Sequence, residues 1–263
     1  MIVFYETVVT GHYDQERHID AERAQSDLVV CLDDGMGAAL PFRSRHDIIM
    51  LVSLRTRSVL ASLGIYPCLL LNDSASSFRA QNLLAARSPY TLNQSGFILP
   101  FAAIAGHPLV PDRFFLKSDE GNKGIPGQVV EKRDLQQVSY LYRFDLCGLC
   151  LIAPVVPLRQ EVRFWIGVSD NDEVTLLAQA PYAHQDRPAD DAACAIILEK
   201  APLILEDIAS RIHACAVMVV DLGLTEDGRV MLVEINSANT SGTYGAAHTY
   251  LCAVQHFLKD YTI

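Results

Sequence analysis

Long apolar runs are missing from this chain: no segment approaches the ~18 uninterrupted apolar residues of a membrane span. The opening MIVFYETVVTGHYDQERH also lacks the basic flank and extended apolar core of a secretion signal, so a cytoplasmic location is expected. Basic residues are scarce. Against 31 Asp and Glu stand 21 Lys and Arg, a formal net charge of −10, which argues against a broad surface for nucleic acid or anionic membrane. Any phosphate binding must therefore be local. Seven cysteines, an odd number scattered through apolar runs, fit reduced core thiols better than a disulfide framework. Cys147-Gly-Leu-Cys150 has no second CxxC to complete a zinc site, so it reads as core. There is no GxxxxGK[ST] and no strand-linked GxGxxG, which excludes a Walker-type P-loop and a dinucleotide fold. Internal repeats, low-complexity tracts and a Ser-His-Asp signature are absent as well.

What is present is ample core material: 263 residues, 50% hydrophobic and 20% charged, enough for one large domain or two small ones. The stretches VFYETVV and LVVCLDD read as strands. HDIIMLVSLRTRSVLASLG has helical apolar spacing and ends at Gly64. IYPCLLLND reads as another strand, and SASSFRAQNLLAARSP as a serine-capped helix that stops before Pro89. This β-α-β-α order implies an open α/β layer over residues 1–111.

From Asp112 to the end the character changes. FFLK and GQVVEKR suggest strands around a glycine-bearing loop, and LCGLCLIAPVVP is an apolar run whose prolines mark a hinge near 151–157 between two lobes. QEVRFWIGVSDNDEVTLLAQAPY reads as a hairpin around Asp170-Asn171-Asp172. APLILEDIASRIHACA reads as a helix with Pro202 near its start, and AAHTYLCAVQHFLKDY as the closing helix.

Between those helices, VMVVDLGLTEDGRVMLVEIN is two β-type runs joined by Asp227-Gly228, a strong hairpin signal. If Asp227 and Gly228 form a two-residue loop, Glu226 faces Arg229 and opposed residue numbers sum to 226 + 229 = 455, so Asp221 faces Glu234. Asn236 shares the face of Glu234. Two acids and an amide oxygen converging inside apolar strands make a site for a hard cation, most naturally Mg²⁺ held partly by water and phosphates. Exposed acids on an ordinary hairpin are the plainer alternative. Without metal the two carboxylates repel each other, so Asp221→Asn is expected to leave stability unchanged or slightly higher.

A second constellation is FLKSDEGNKGIPGQVV, where Lys117 and Lys123 flank a short loop with Gly121, Gly124 and Gly127. Glycines permit close backbone approach and two ammonium groups neutralise a polyphosphate; an ordinary turn with solvated lysines is the alternative. In EVRFWIG, Glu161 and Arg163 share one strand face, and the guanidinium suits a carboxylate, a transferring phosphate or a surface ion pair.

In this order, a lysine strand, a Gly-loop lysine, an apolar hinge, E-x-R-F, then D-x-G…D-G-R…V-E-I-N before a Gly/Ser turn, the chain resembles the ATP-grasp superfamily. The likeness is to the subgroup marked by one arginine and two lysines and spans roughly 112–245. It implies an α/β fold with α+β grasp lobes behind an N-terminal pre-grasp domain. It further implies ATP with its adenine against the backbone at Leu151, Ile152 and Ala153, and its phosphates on Lys117, Lys123 and Gly124. Mg²⁺ would lie on Asp221, Glu234 and Asn236. Glu161 joins the cofactor-binding set, and Arg163 with Lys123 the catalytic one. SANTSG departs from the proline- or glycine-rich loop common after VEIN, which bears on substrate contacts. The implied activity is an ATP-dependent carboxylate–amine ligase acting on small-molecule or peptide carboxylates and amines. A kinase on the same fold and an idle nucleotide-binding protein are the rivals.

Overall fold

Residues 2–6, 28–33, 35–67, 88–119, 124–169, 173–182, 188–211, 217–239 and 241–259 are described by the computed structural model. The chain folds into two compact units that do not follow chain order: 1–73 with 158–263, and 74–157. The expected division at 111/112 falls inside the second unit. The prolines of 154–157 coincide with the return from the second unit to the first.

The first unit opens with a parallel sheet ordered β2-β1-β3: β1 (Ile2–Tyr5), β2 (Leu28–Cys31) and β3 (Ile48–Leu51). Here the helix expected over HDIIMLVSLRTRSVLASLG is corrected. Ile48, Ile49, Met50, Leu51 and Val52 are all fully buried, as a central parallel strand demands, and a continuous apolar run does not distinguish strand from helix by period. The helix α1 (Leu54–Ser62) begins only after Ser53, whose hydroxyl accepts from the Thr56 N–H. Gly64, at φ 75, ends the helical segment as expected.

An antiparallel sheet ordered β11-β10-β8-β9 completes this unit: β8 (Leu158–Val168), β9 (Val174–Pro181), β10 (Val217–Thr225) and β11 (Val230–Asn236). The hairpins expected at 160–182 and 217–236 both form; the Asp170–Asp172 turn lies outside the described residues.

The second unit carries β4 (Phe97–Pro100), a single helical turn α2 (Phe101–Ile104), β5 (Arg113–Ser118), β6 (Gln128–Glu131), α3 (Leu135–Tyr142) and β7 (Leu149–Ala153). Its antiparallel sheet is ordered β4-β7-β5-β6. Phe114, Leu116, Cys150 and Ile152 project into one core with Leu135, Val138 and Phe144. Cys150 is thus core as expected, whereas Cys147 is exposed. The strand and helix expected at 65–73 and 74–89 lie largely outside the described residues.

Two further helices cover the β11-β10-β8-β9 sheet. In α4 (Asp191–Ala209) the carboxylate of Asp190 caps the Ala193 N–H, and Pro202 sits mid-helix. The expected start near Pro202 is therefore corrected: the polar cap well upstream sets the end, and the helix absorbs the proline. Ile197, Ala201, Ile204 and Ile208 on α4 are buried, and α4 packs on β8 and β10. The other helix, α5 (Ala247–Lys259), packs Tyr250, Leu251 and Val254 with Trp165, Val217 and Val219 of the sheet and with Val3, Ile49 and Leu51 of β1 and β3. One core thus joins residues from both ends of the chain. Among the described residues no helix is long and apolar enough to cross a membrane.

Candidate functional site

The β10–β11 hairpin begins with a correction. Its loop holds three residues, Glu226 to Gly228, because the Thr225 N–H donates to Arg229 O at 2.9 Å and Gly228 takes φ 84. Left-handed geometry at the third loop residue is what glycine supplies. Opposed numbers therefore sum to 454 near the loop, as in Leu222 and Leu232, which would bring Val233 opposite Asp221. A bulge follows. Val233 is left without a cross-strand partner, and beyond it the register becomes Asp221 opposite Glu234 and Val219 opposite Asn236. The expected opposition of the two acids is present, reached by a different route.

Gly223 makes room for the bulge. A β-carbon there would lie 2.9 Å from Val233 Cγ2 and 3.1 Å from Leu158 Cδ1.

On the neighbouring strand β8, Arg163 pairs with Asp221 and Glu161 pairs with Gly223, so both side chains share the face of Asp221. Asp221 is fully buried and Arg163 is 4% exposed. Arg163 forks onto the carboxylate, Nε to Oδ1 at 2.8 Å and Nη2 to Oδ2 at 2.7 Å. Tyr182 OH and Asn236 Nδ2 also donate to Oδ2, each at 3.0 Å. Oδ2 thus accepts from three donors and Oδ1 from one. Burial raises the Asp221 carboxyl above its ordinary range against the pull of Arg163; the three neighbouring residues all donate to it, which favours the ionised form. Burial works against the Arg163 charge, but the hydrogen bond and attraction from Asp221 prevail and lift the guanidinium above its ordinary range.

The neighbours feel the same charges. Burial, with Asp221 beside it, pushes the Tyr182 hydroxyl well above the usual phenol range. Burial also raises the Glu161 carboxyl to about 7, with further push from Asp221 and Glu234. Glu234, its side chain 22% exposed, accepts from Asn236 Nδ2 at 2.6 Å and lies 4.0 Å from Arg163 Nη2.

Asp221 therefore does not face Glu234 as a bare repelling charge. The expectation that Asp221→Asn is neutral or stabilising is overturned, because that change strands a buried guanidinium. The fork of Arg163, expected for a substrate or a surface partner, is occupied within the protein.

Glu234 and Asn236 suit a magnesium ion that also takes phosphate oxygens, since Mg²⁺ needs only one or two carboxylates; the amide would present its oxygen by giving up the bonds from Nδ2 to Asp221 and Glu234. Asp221 Oδ2 has no lone pair to spare in this arrangement, whereas among the described residues Oδ1 accepts only from Arg163 Nε. Among the described residues no group of three or more His, Cys, Asp and Glu is placed to hold a metal by itself.

Two tyrosines absent from the expected set complete the cluster. Tyr182 follows β9, and Tyr244 sits in the turn after β11 at φ 46. Their ring centroids are 4.3 Å apart, and each centroid is 5.1 Å from Arg163 Cζ. Arg163 Nη1 donates to Gly242 O in the same turn at 3.0 Å. No local pattern links these positions, which meet only through the sheet and the turn. The turn itself is built from buried polar groups. Ser237, Asn239, Ser241 and Thr243 are all buried; Ser241 Oγ donates to Ser237 O at 2.6 Å, and Asn239 O accepts from the Val52 N–H at 3.1 Å.

In the second unit, Lys117 on β5 lies opposite Leu151 on β7, and Phe115 opposite Ala153. These share a sheet face, whereas Leu116 and Ile152 oppose each other in the core. Ile152 can thus offer only backbone to a ligand on the Lys117 face. Gly127 lies under that face: a β-carbon there would stand 2.8 Å from the Phe115 ring and 3.9 Å from Lys117 Cδ. Gly124 closes the loop, next to Ile125, whose N–H and C=O both bond Ser118 Oγ at 3.1 Å. Lys123 and Gly121 lie outside the described residues.

No curated protein matches the chain by sequence. By structure the chain is similar to N5-carboxyaminoimidazole synthase from Aspergillus clavatus, crystallised with ADP and 5-aminoimidazole ribonucleotide, at 18% identity and a TM-score of 0.59. That likeness covers 100% of this chain and 77% of the other. It is also similar to a D-cycloserine synthetase (13% identity, TM-score 0.55, covering 98% and 100%). A third similar structure is the D-alanine–D-alanine ligase from Bacillus anthracis (10% identity, TM-score 0.52, covering 98% and 96%). At such identities the likeness establishes the fold, an ATP-grasp fold of α/β class with mixed helices and sheets. The model of an ATP-grasp domain, the third family of its clade, matches residues 71–256, well over half of the sequence, and the chain therefore belongs to that ATP-grasp family.

Proposed function

We propose that this protein is an ATP- and magnesium-dependent ligase that joins a carboxylate to an amine through an acylphosphate, acting in the cytoplasm on small molecules or peptides. The observation that carries this reading is the polar cluster on one face of the β8–β10–β11 sheet. There Glu234 and Asn236 lie together beside the buried, doubly hydrogen-bonded Arg163–Asp221 pair. Family membership and the ligases that share the fold support it.

In this reading residues 112–263 are the catalytic region, hinged near 151–157, and 1–111 are the pre-grasp domain. Lys117, Lys123 and Gly124 hold the ATP phosphates, and the backbone at Leu151, Ile152 and Ala153 receives the adenine. Glu161 borders the nucleotide, while Arg163 and Lys123 serve catalysis. Glu234, Asn236 and Asp221 would hold magnesium, which bound there would neutralise phosphate charge. The chain's own part is positioning and electrostatics, so no nucleophilic side chain is needed.

The test is ADP release from Mg-ATP against a library of amino acids and peptides, with and without added amines. A ligase releases ADP only in proportion to amide formed. Release that ignores amines and leaves a phosphorylated product would make the protein a kinase. ATP-induced stabilisation with no turnover at all would make it an idle binder and sink the proposal.

A further inference from the structure

Arg163 is unusually constrained for a residue assigned to substrate. Of the five guanidinium N–H groups, Nε and one on Nη2 go to Asp221, the other on Nη2 to Tyr182 OH, and one on Nη1 to Gly242 O. Among the described residues that leaves a single Nη1 N–H for a ligand. A planar fork usually recognises two oxygens at once; this one is left with a contact to one.

The rings add a second constraint. Arg163 Cζ and the centroids of Tyr182 and Tyr244 form a triangle with sides of 5.1, 5.1 and 4.3 Å. A cation within about 6 Å of an aromatic centroid is attracted to its face, more so when desolvated. Tyr244 holds a left-handed backbone, which a bulky side chain adopts only where its surroundings impose it. The surroundings here are Tyr182, Arg163 and the Gly242 carbonyl.

We infer that Tyr182 and Tyr244 are positioning residues that act through Arg163. They hold the guanidinium so that it offers one N–H to the acceptor carboxylate or phosphoryl oxygen, and Arg163 in turn fastens the 241–245 turn to the sheet. This rests on the ligase reading for its chemistry but not for its geometry. The two parts therefore have separate readouts.

The geometric part is read by near-ultraviolet circular dichroism. The signal of the stacked pair is the difference between the wild type and Tyr244→Leu, which removes one ring. Arg163→Gln keeps both tyrosines, yet should lose at least about half of that signal, because the turn is no longer tied to the sheet. An Arg163→Gln protein that melts cooperatively and keeps the whole signal overturns the inference. If Arg163→Gln does not fold, Arg163→Lys decides: it keeps both rings and a cation beside Asp221 but lacks the guanidinium N–H that reaches Gly242 O, and an unaltered signal there has the same meaning.

The chemical part is read in the kinetics of ADP release from Mg-ATP with the amino-acid and peptide library. Tyr244→Leu should lower kcat about tenfold with the KM for ATP within roughly twofold, and Tyr244→Phe should recover most of the loss. Equal falls for Leu and Phe, or a change confined to KM for ATP, overturn positioning through Arg163. Absence of ADP release from the wild type would end the ligase reading, while the optical measurement would still decide the geometry.

Discussion

Asp221 and Glu234 oppose each other across β10 and β11 because the extra residue in the Glu226–Gly228 loop is matched by an extra residue, Val233, in β11. Either insertion alone would turn the Glu234 side chain to the other face of the sheet, since a one-residue slip reverses the side-chain alternation. The face shared by Asp221 and Glu234 therefore depends on a bulge that has no chemistry of its own.

Gly223→Ala tests that dependence. The new methyl would meet Val233 Cγ2 at 2.9 Å and Leu158 Cδ1 at 3.1 Å inside a buried sheet. Overpacking of this kind costs about 1–3 kcal/mol, measured by urea denaturation. Combining it with Val233→Ala should recover part of the loss, the non-additivity expected of neighbours. Additive losses would mean that the bulge is not what Gly223 accommodates.

Asp221→Asn should be strongly destabilising without any ligand. The amide replaces an acceptor of four donors by a group that must itself donate, and Arg163 is left charged and buried. Breaking one side of a buried pair costs roughly 3–5 kcal/mol. A urea midpoint equal to that of the wild type would remove Asp221 as the anchor of Arg163.

Glu161 should make stability fall as pH rises. Its carboxyl titrates at about 7 in the folded chain against 4.5 when unfolded. Between those values the native state keeps a proton that the unfolded state has lost. The slope of unfolding free energy with pH is then negative, the benefit being complete below 4.5 and gone above 7. The contribution is on the order of 2–3 kcal/mol. Chemical denaturation of the wild type and Glu161→Gln across that window checks it; the variant should show the shallower decline.

Lys117→Ala should weaken Mg-ATP while leaving the fold intact, since Lys117 lies on the sheet face opposite Leu116 and the core. A lost charge-assisted contact of roughly 1.5–3 kcal/mol corresponds to roughly a tenfold to hundredfold rise in Kd. Titration calorimetry measures it. An unchanged Kd removes Lys117 from the phosphate site.

Much of this was legible because it is local. The Asp227-Gly228 pair, the alternating apolar residues of β8 and the glycines after Lys117 each announce a backbone event within a few residues. The fully buried run at β3 was not, since an unbroken apolar stretch has no period to separate strand from helix. Pro202 misled because a proline is at home in a helix's first turn, while here the Asp190 cap lies far upstream. The opposition of Asp221 and Glu234 was legible, but the partnership of Asp221 with Arg163 was missed: register within one hairpin says nothing about the strand on the other side of β10. Tyr182 and Tyr244 are further still from local inference, as only the assembled sheet and turn bring them to the guanidinium.

The core shared by Val3, Ile49 and Leu51 with Trp165, Tyr250 and Leu251 governs the order of events during synthesis. β1 and β3 leave the ribosome long before α5 exists, so the face of Val3, Ile49 and Leu51 must wait for it, while the opposite face closes earlier over Leu60 and Ile65 and the unit of 74–157 is also complete earlier. Closure over so long a separation is slow, and the waiting strands present unpaired edges to other chains. Truncation before α5 would leave the face of Val3, Ile49 and Leu51 without Tyr250, Leu251 and Val254, and so prone to aggregate.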